Sequence, residues 1–230
     1  MNNNILNKKL DESVTRELIA YQRKDYIVSE QYRAIRTNIE FIKSNAQSYS
    51  LVITSPEPGE GKTTTATNLA IVFADTGKKV LLIDGDLRRG RLKDIFNLPN
   101  KKGMSNLLSK NASLSECIQK KKSIENLSFI TSGPYPPNPS ELLHSVEMDR
   151  ILQLLSKDFD LIIIDMPPVL LVADTQVISN KTDGIVLVVR EGVTSKEAAS
   201  KAKRLLLAVG ANIIGAVYND NSSIEESYYY

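Results

Sequence analysis

The chain has 230 residues, 42% apolar and 24% charged, which is enough to bury one substantial core and ordinary for a globular protein. Its net charge of +2 gives no bulk attraction for nucleic acid, and a single cysteine, Cys117, permits no internal disulfide. No apolar run approaches the roughly 20 residues of a membrane-spanning helix, and the opening MNNNILNKKL lacks a signal-type apolar centre, so a folded cytoplasmic body is expected.

In chain order, residues 1–28 are polar with scattered apolar positions such as Val14, Leu18 and Tyr21, and read as an arm. Ser29 is placed as the N-cap of a helix over 29–46, in which Tyr32, Ile35, Ile39 and Ile42 recur at helical spacing. Glu30, Arg33 and Arg36 fall on its other side. On the residues alone that side is a solvated face with helical ion pairs, and a subunit contact is the alternative.

The strongest signal is LVITSPEPGEGKTTTATN, Leu51 to Asn68. A β-branched run ends at Ser55, a Pro/Gly-rich turn follows, and helix-forming composition begins at Gly61. Such a strand, loop and helix start, with Gly59, Gly61, Lys62 and Thr63 in the loop, suits a polyphosphate. Glycines allow close backbone approach, N–H groups point inward, Lys62 reaches the outer phosphates and Thr63 can ligate Mg²⁺. Pro56 stands where the usual G-x-x-x-x-G-K-[ST] pattern has its first glycine, so the loop is a variant, stiffened by Pro56 and Pro58.

A helix is predicted from Thr64 to Ala74, closed by Gly77. Val80–Ile83 is a continuous apolar run, the mark of a strand buried on both faces, and it delivers Asp84 and Asp86 at its carboxyl end. Two carboxylates so spaced beside a triphosphate can hold Mg²⁺ or take a proton from a hydroxyl; Asp-Gly turn chemistry is the bland alternative. Residues 104–119 read as a further crossover, 120–122 as a solvated lysine loop and 127–131 as a buried strand. Prolines at 134, 136, 137 and 139 predict an irregular loop that Asn138-Pro139 turns into a helix, where the only histidine, His144, has nothing nearby to pair with.

Leu161–Ile164 repeats the buried-strand device with Asp165 at its end, as a second-shell Mg²⁺ carboxylate would be. Two more strands, 184–189 and 211–217, flank a helix over 195–209. Asn219 follows, where an amide could read a base, although Asn is also common in turns. Alternating strands and helices predict an α/β fold with a doubly wound, mostly parallel sheet. The chain closes with SSIEESYYY, whose Tyr228, Tyr229 and Tyr230 either dock on the body or serve as phenolic acceptors for a neighbouring active site.

These motifs together resemble the bacterial protein-tyrosine kinases, the BY-kinase family of capsule and exopolysaccharide synthesis, in its Gram-positive cytoplasmic form. The resemblance runs from about Ser29 to Tyr230. It is carried by SPEPGEGKT as Walker A, VLLIDGDLRR as Walker A′, LIIIDMPP as Walker B, EQYRAIR as the oligomerisation helix, PPNPSELL and the tyrosine tail. It implies a P-loop NTPase domain of the MinD/ParA-like type over 29–221 and a tail over 222–230. It also implies ATP and Mg²⁺ as cofactors, with the loop amides of Glu60 to Thr64 around the phosphates. Lys62, Asp84, Asp86 and Asp165 become the catalytic group, Asp84 being the best candidate for base, with Thr63, Asp84 and Asp165 nearest the metal. Glu30, Arg33 and Arg36 become subunit contacts, which reverses the weighting from residues alone. A homo-oligomeric ring, taken as an octamer, passes each tail to a neighbour's site. The cytoplasmic tail of a separate transmembrane activator recruits it to the inner membrane face, with protein-tyrosine substrates and a cognate phosphatase as further partners and no nucleic acid. The rival reading is a MinD/ParA-like ATPase switch, which normally carries a second lysine where this chain has Glu57; a non-catalytic scaffold would not need the whole carboxylate set.

Overall fold

The computed structural model describes Leu18, Ala20, residues 27–42 and residues 48–219. Most of the arm over 1–28, and the tail with Tyr228, Tyr229 and Tyr230, lie outside the described residues. One seven-stranded sheet is built from β1 (Tyr49–Thr54), β2 (Val80–Asp84), β3 (Gln119–Lys120), β4 (Leu127–Ile130), β5 (Leu161–Asp165), β6 (Gly184–Arg190) and β7 (Ile213–Asn219). Their spatial order is β3-β4-β2-β5-β1-β6-β7, and every pair is parallel except β3 with β4. The central strands β1, β2, β4 and β5 are buried at every position and mostly apolar, because both faces are covered. Leu51, Ile53, Leu82 and Ile163 enter one core while Val52, Ile83, Ile164 and Leu187 enter the other.

Helices α1 (Ile27–Ile42), α2 (Lys62–Ala74) and α3 (Leu92–Ile95) cover the first face. The second is covered by α4 (Met104–Leu108), α5 (Leu114–Cys117), α6 (Pro139–His144), α7 (Val146–Leu155), α8 (Asp174–Ser179) and α9 (Lys196–Ala208). Helix α2 is buried almost all round, between the sheet and α1, which accounts for its lack of a polar stripe. Doubly wound and mostly parallel, the sheet is the expected one.

Three local details differ from expectation. Helix α1 begins at Ile27, so Ser29 is not its cap; it lies inside the helix and is fully buried. The inner stripe ends at Ile39, since Ile42 is 50% exposed, and Arg36 turns toward the body, its Nη1 donating to the Val72 carbonyl at 2.9 Å. The crossover over 104–119 is two short helices and an antiparallel edge strand. Lys110, at φ 59°, breaks the helical path after α4.

Candidate active site

Strand β1 points into the loop before α2, and the loop is held from outside by its carbonyls. Arg190 Nη1 donates to the Gly59 carbonyl and Asn219 Nδ2 to that of Glu60, each at 3.0 Å. The Glu60 side chain is fully buried, accepting from the Glu57 N–H at 2.7 Å and from the Thr194 hydroxyl. With carbonyls turned to these partners, the loop N–H groups and the start of α2 are left to meet an anion. Gly61, at φ +91°, has the left-handed conformation that favours glycine, and a Cβ there would come within 2.1 Å of Asn219 Nδ2. Asn219 thus lies against the loop backbone, and of Glu60 only the main chain faces the anion site.

The carboxylates gather because β2 and β5 are neighbours in register, Asp84 opposite Asp165. The Thr63 hydroxyl donates to Asp165 Oδ2 at 2.7 Å. Lys62 Nζ stands 3.2 Å from Thr63 Oγ1, 3.6 Å from Asp165 Oδ1 and 4.0 Å from Asp86 Oδ2. Asp86 accepts the backbone N–H groups of Arg88 and Arg89 at 3.2 and 2.9 Å, which fixes the turn after β2. Asp84 is fully buried, and its Oδ2 accepts from the Leu92 N–H at 3.1 Å. Burial pushes its carboxyl well above the usual range, and the charges of Asp165 and Asp86 add to the effect. Burial raises Asp165 too, opposed by Lys62 and the Thr63 hydroxyl.

Among the described residues, Asp84 Oδ1 and Asp165 Oδ1 are buried without a hydrogen-bond partner, the latter having only its ion pair with Lys62. Such orphaned oxygens, beside a threonine hydroxyl, form the all-oxygen donor set that a hard divalent cation prefers. No cluster of three or more acidic, histidine or cysteine donors forms a metal cage among the described residues. Mg²⁺ does not need one, since it keeps waters and shares nucleotide phosphates. The residues therefore fit such a cation, which Thr63 and Asp165 would hold with Asp84 alongside.

A cavity of about 190 Å³ opens between these groups, with Gly59, Lys62, Thr63 and Thr64 on one side and Asp86, Arg89, Arg91 and Leu171 on another. A larger one, of about 590 Å³, lies by Ser50, Lys157 and Asp183 among the strand starts and holds none of the catalytic candidates. Glu30 and Arg33 pair with each other on α1, away from the cleft, and His144 is exposed in α6. Sequence reasoning missed a junction beside the cleft. Arg88 Nε and Nη2 donate to the two oxygens of fully buried Asp174 at 3.0 and 3.3 Å, and the Ser140 hydroxyl bonds to the same carboxylate. The only available signals were the arginine-rich turn after β2 and the serine of PPNPSELL.

The family described as AAA domain matches residues 48–206. Tyrosine-protein kinase YwqD of Bacillus subtilis is 44% identical over 224 residues, covering 97% of this chain and 94% of its own. Tyrosine-protein kinase CpsD of Streptococcus agalactiae is 38% identical over 200 residues, covering 86% and 85%. Among solved structures, the kinase domain of Escherichia coli tyrosine kinase ETK superposes with TM-score 0.86 at 35% identity, covering 93% of this chain and 84% of that one. Cell division ATPase MinD of Pyrococcus furiosus shares the fold, with TM-score 0.65 and 24% identity over 76% of this chain and 73% of its own. Relatedness of that depth, spanning nearly the full length of both partners, makes the present chain a member of the bacterial tyrosine-protein kinases.

Proposed function

We propose that this chain uses ATP and Mg²⁺ to phosphorylate protein tyrosines, including Tyr228, Tyr229 and Tyr230 of its own tail, in trans between neighbours of a ring. The observation that carries the reading is the meeting of Asp84, Asp86 and Asp165 with Lys62 and Thr63 at the carboxyl ends of β2 and β5, in a chain that ends in three tyrosines. A hydrolytic switch of the MinD/ParA kind would need a positioned water instead of a phenol, and Glu57 replaces its second lysine.

Thr63 and Asp165 would hold the Mg²⁺, which when bound would supply positive charge against the charge that develops on transfer. Lys62 and the loop N–H groups bind the outer phosphates, while Thr63 and Asp165 hold their geometry. Asp86 aligns the Lys62 ammonium. Asp84 orients the incoming phenol and receives its proton, a task suited to a carboxyl whose proton affinity is raised by burial. A loose transition state asks for little more basicity than that. In the ring, an octamer in this reading, Glu30, Arg33 and Arg36 contact the next subunit, and phosphate added to the tail favours its release. The cytoplasmic tail of a separate transmembrane protein activates the kinase and brings it to the inner membrane face. A cognate phosphatase reverses the modification, and the cycle regulates capsular or exopolysaccharide synthesis and export. No helix among the described residues is long and apolar enough to cross a membrane.

The test is intact-mass spectrometry with tandem mapping after incubation with ATP and Mg²⁺, alone and with a peptide from the membrane partner. Phosphate on Tyr228 to Tyr230 is expected and should vanish in Lys62→Met. ADP release without phosphotyrosine, once the partner is shown to bind, overturns the reading in favour of an ATPase switch.

A further inference from the structure

We propose that the segment Ile224 to Tyr228 adds to the open edge of β7 as an antiparallel strand, with Tyr228 laid over Gly215, and so keeps the tail out of a kinase cleft until it is released. The pairing stands without the kinase reading, and only its consequence for phosphorylation rests on that reading.

The two edges of the sheet are built differently. At one end β3 has two residues, and Lys120 is followed by Lys121 and Lys122, so that edge is short and charged and resists a further strand. At the other end β7 runs for seven residues, IIGAVYN, with neither charge nor proline. Its bulge, where Ile214 is the extra residue between the partners of Ile185 and Val186, leaves Gly215 to Asn219 in regular register. The Glu191 N–H donates to the Asn219 carbonyl, so Asn219 faces β6. Peptide groups alternate along a strand, and Ala216 therefore turns its N–H and C=O outward. Gly215 and Ala216 are exposed, and among the described residues no strand lies beyond β7. A long apolar edge of this kind is a template for one more strand.

The residues that follow β7 supply that strand. Asp220, Asn221, Ser222 and Ser223 are turn formers and make a loop of four, a common hairpin length. A chain returning from that loop sets Asn219 opposite Ile224, Ala216 opposite Ser227 and Gly215 opposite Tyr228. Ile224 and Tyr228 are residue types that favour strands. Gly215 leaves a gap in the edge, since a Cβ there would meet nothing within 4 Å among the described residues. An aromatic ring from the neighbouring strand covers such an edge glycine well. Tyr229 and Tyr230 run past the bulge and take no part in the ladder. A second copy offers the same edge, but a segment tethered by a four-residue loop acts at about millimolar effective concentration, which a separate chain does not reach in dilute solution.

Amide hydrogen exchange read by NMR on the full chain without nucleotide tests the pairing and needs no catalysis. The Ala216 amide should exchange at least about tenfold more slowly than in Ser227→Pro, which lacks the facing N–H, or in Tyr228→Ser. That protection should persist on dilution, and core amides should exchange alike in all three proteins. Fast exchange of Ala216 in the unaltered chain, protection that survives Ser227→Pro, or protection that falls on dilution overturns the hairpin, the last in favour of a second copy. A cysteine pair then fixes register and consequence, with buried Cys117 left in place. Ala216→Cys with Ser227→Cys should close in a glutathione buffer with an effective concentration at least about tenfold above that of Ala216→Cys with Tyr228→Cys, whose side chains leave opposite faces. Equal closure overturns the register. With ATP, Mg²⁺ and the membrane-partner peptide, the closed chain should gain phosphotyrosine at least about tenfold more slowly than the same chain reduced. Equal rates overturn the withholding of the tail. ADP release with no phosphotyrosine in either form refutes the kinase reading and the withholding with it, while hydrogen exchange alone decides the pairing.

Discussion

Asp84 is where chemistry and stability pull in opposite directions. A fully buried carboxyl whose proton affinity is raised binds a proton more readily folded than unfolded. In the nucleotide-free protein its contribution to stability therefore falls as pH rises through the raised folded pKa, and is most favourable below the unfolded value. Asp84→Asn should thus raise the melting temperature at neutral pH, by about 2–4 °C for a gain of roughly 1 kcal/mol, while cutting tyrosine phosphorylation at least about a hundredfold. Calorimetry beside a phosphotyrosine assay checks both, and an unchanged or lowered melting temperature contradicts the account. The same titration predicts that the melting temperature of the nucleotide-free protein falls as pH rises from the ordinary carboxylate range toward neutrality, and that Asp84→Asn flattens that slope. Gly61→Ala meets both a left-handed backbone and the Asn219 amide, and should reduce nucleotide affinity at least about tenfold by titration with a fluorescent ADP. Lys62, Thr63, Asp84, Asp86 and Asp165 were legible in the sequence because each sits in a short contiguous motif behind an apolar strand. The inward side chain of Glu60 and the brace by the Asn219 amide were not, since Thr194 and Asn219, which meet the loop there, lie far away in the chain.

Among the elements, the junction of Arg88, Ser140 and Asp174 joins the turn after β2 to the starts of α6 and α8. Thr175, next in α8, donates to the Pro167 carbonyl at 2.6 Å, and Thr54 donates to the same oxygen at 2.8 Å. The ends of β1, β2 and β5 are thereby tied through one side of the cleft. Asp174→Ala leaves the Arg88 cation without its buried partner and should cost about 2–3 kcal/mol in a urea titration, the low end for a broken buried pair because Arg88 is partly exposed. A loss under about 0.5 kcal/mol would mean that the pair behaves as a surface one. The strands themselves were readable from unbroken apolar runs that end in Asp. The start of α1 was not, because Ser at a plausible cap position competes with the burial that Ser29 gains inside the helix.

For the whole molecule, the doubly wound, mostly parallel sheet followed from the alternation of strands and helices, whereas the strand order and the antiparallel edge at β3 did not. The proposed ring belongs to this scale, and the structure separates the two arginines assigned to it. Arg33 pairs with Glu30 at the surface of α1, while Arg36 also donates to Val72 on α2. Arg33→Ala should lower the mass seen by light scattering under ATP and Mg²⁺ with no change in melting temperature. Arg36→Ala should lower both, because it releases a carbonyl inside the protomer. An unchanged mass in both variants removes this face from the ring contact. The placement of Asn219 has one more result. The residue that braces the nucleotide loop is also the last of β7, so the tail is tethered at the rim of its own cleft. The stretch from Asn219 to Tyr228 reaches at most about 30 Å when fully extended. A tether that short gives the tyrosines a millimolar effective concentration at their own site, so the proposed transfer between neighbours would require ring geometry to bar the local encounter and not distance.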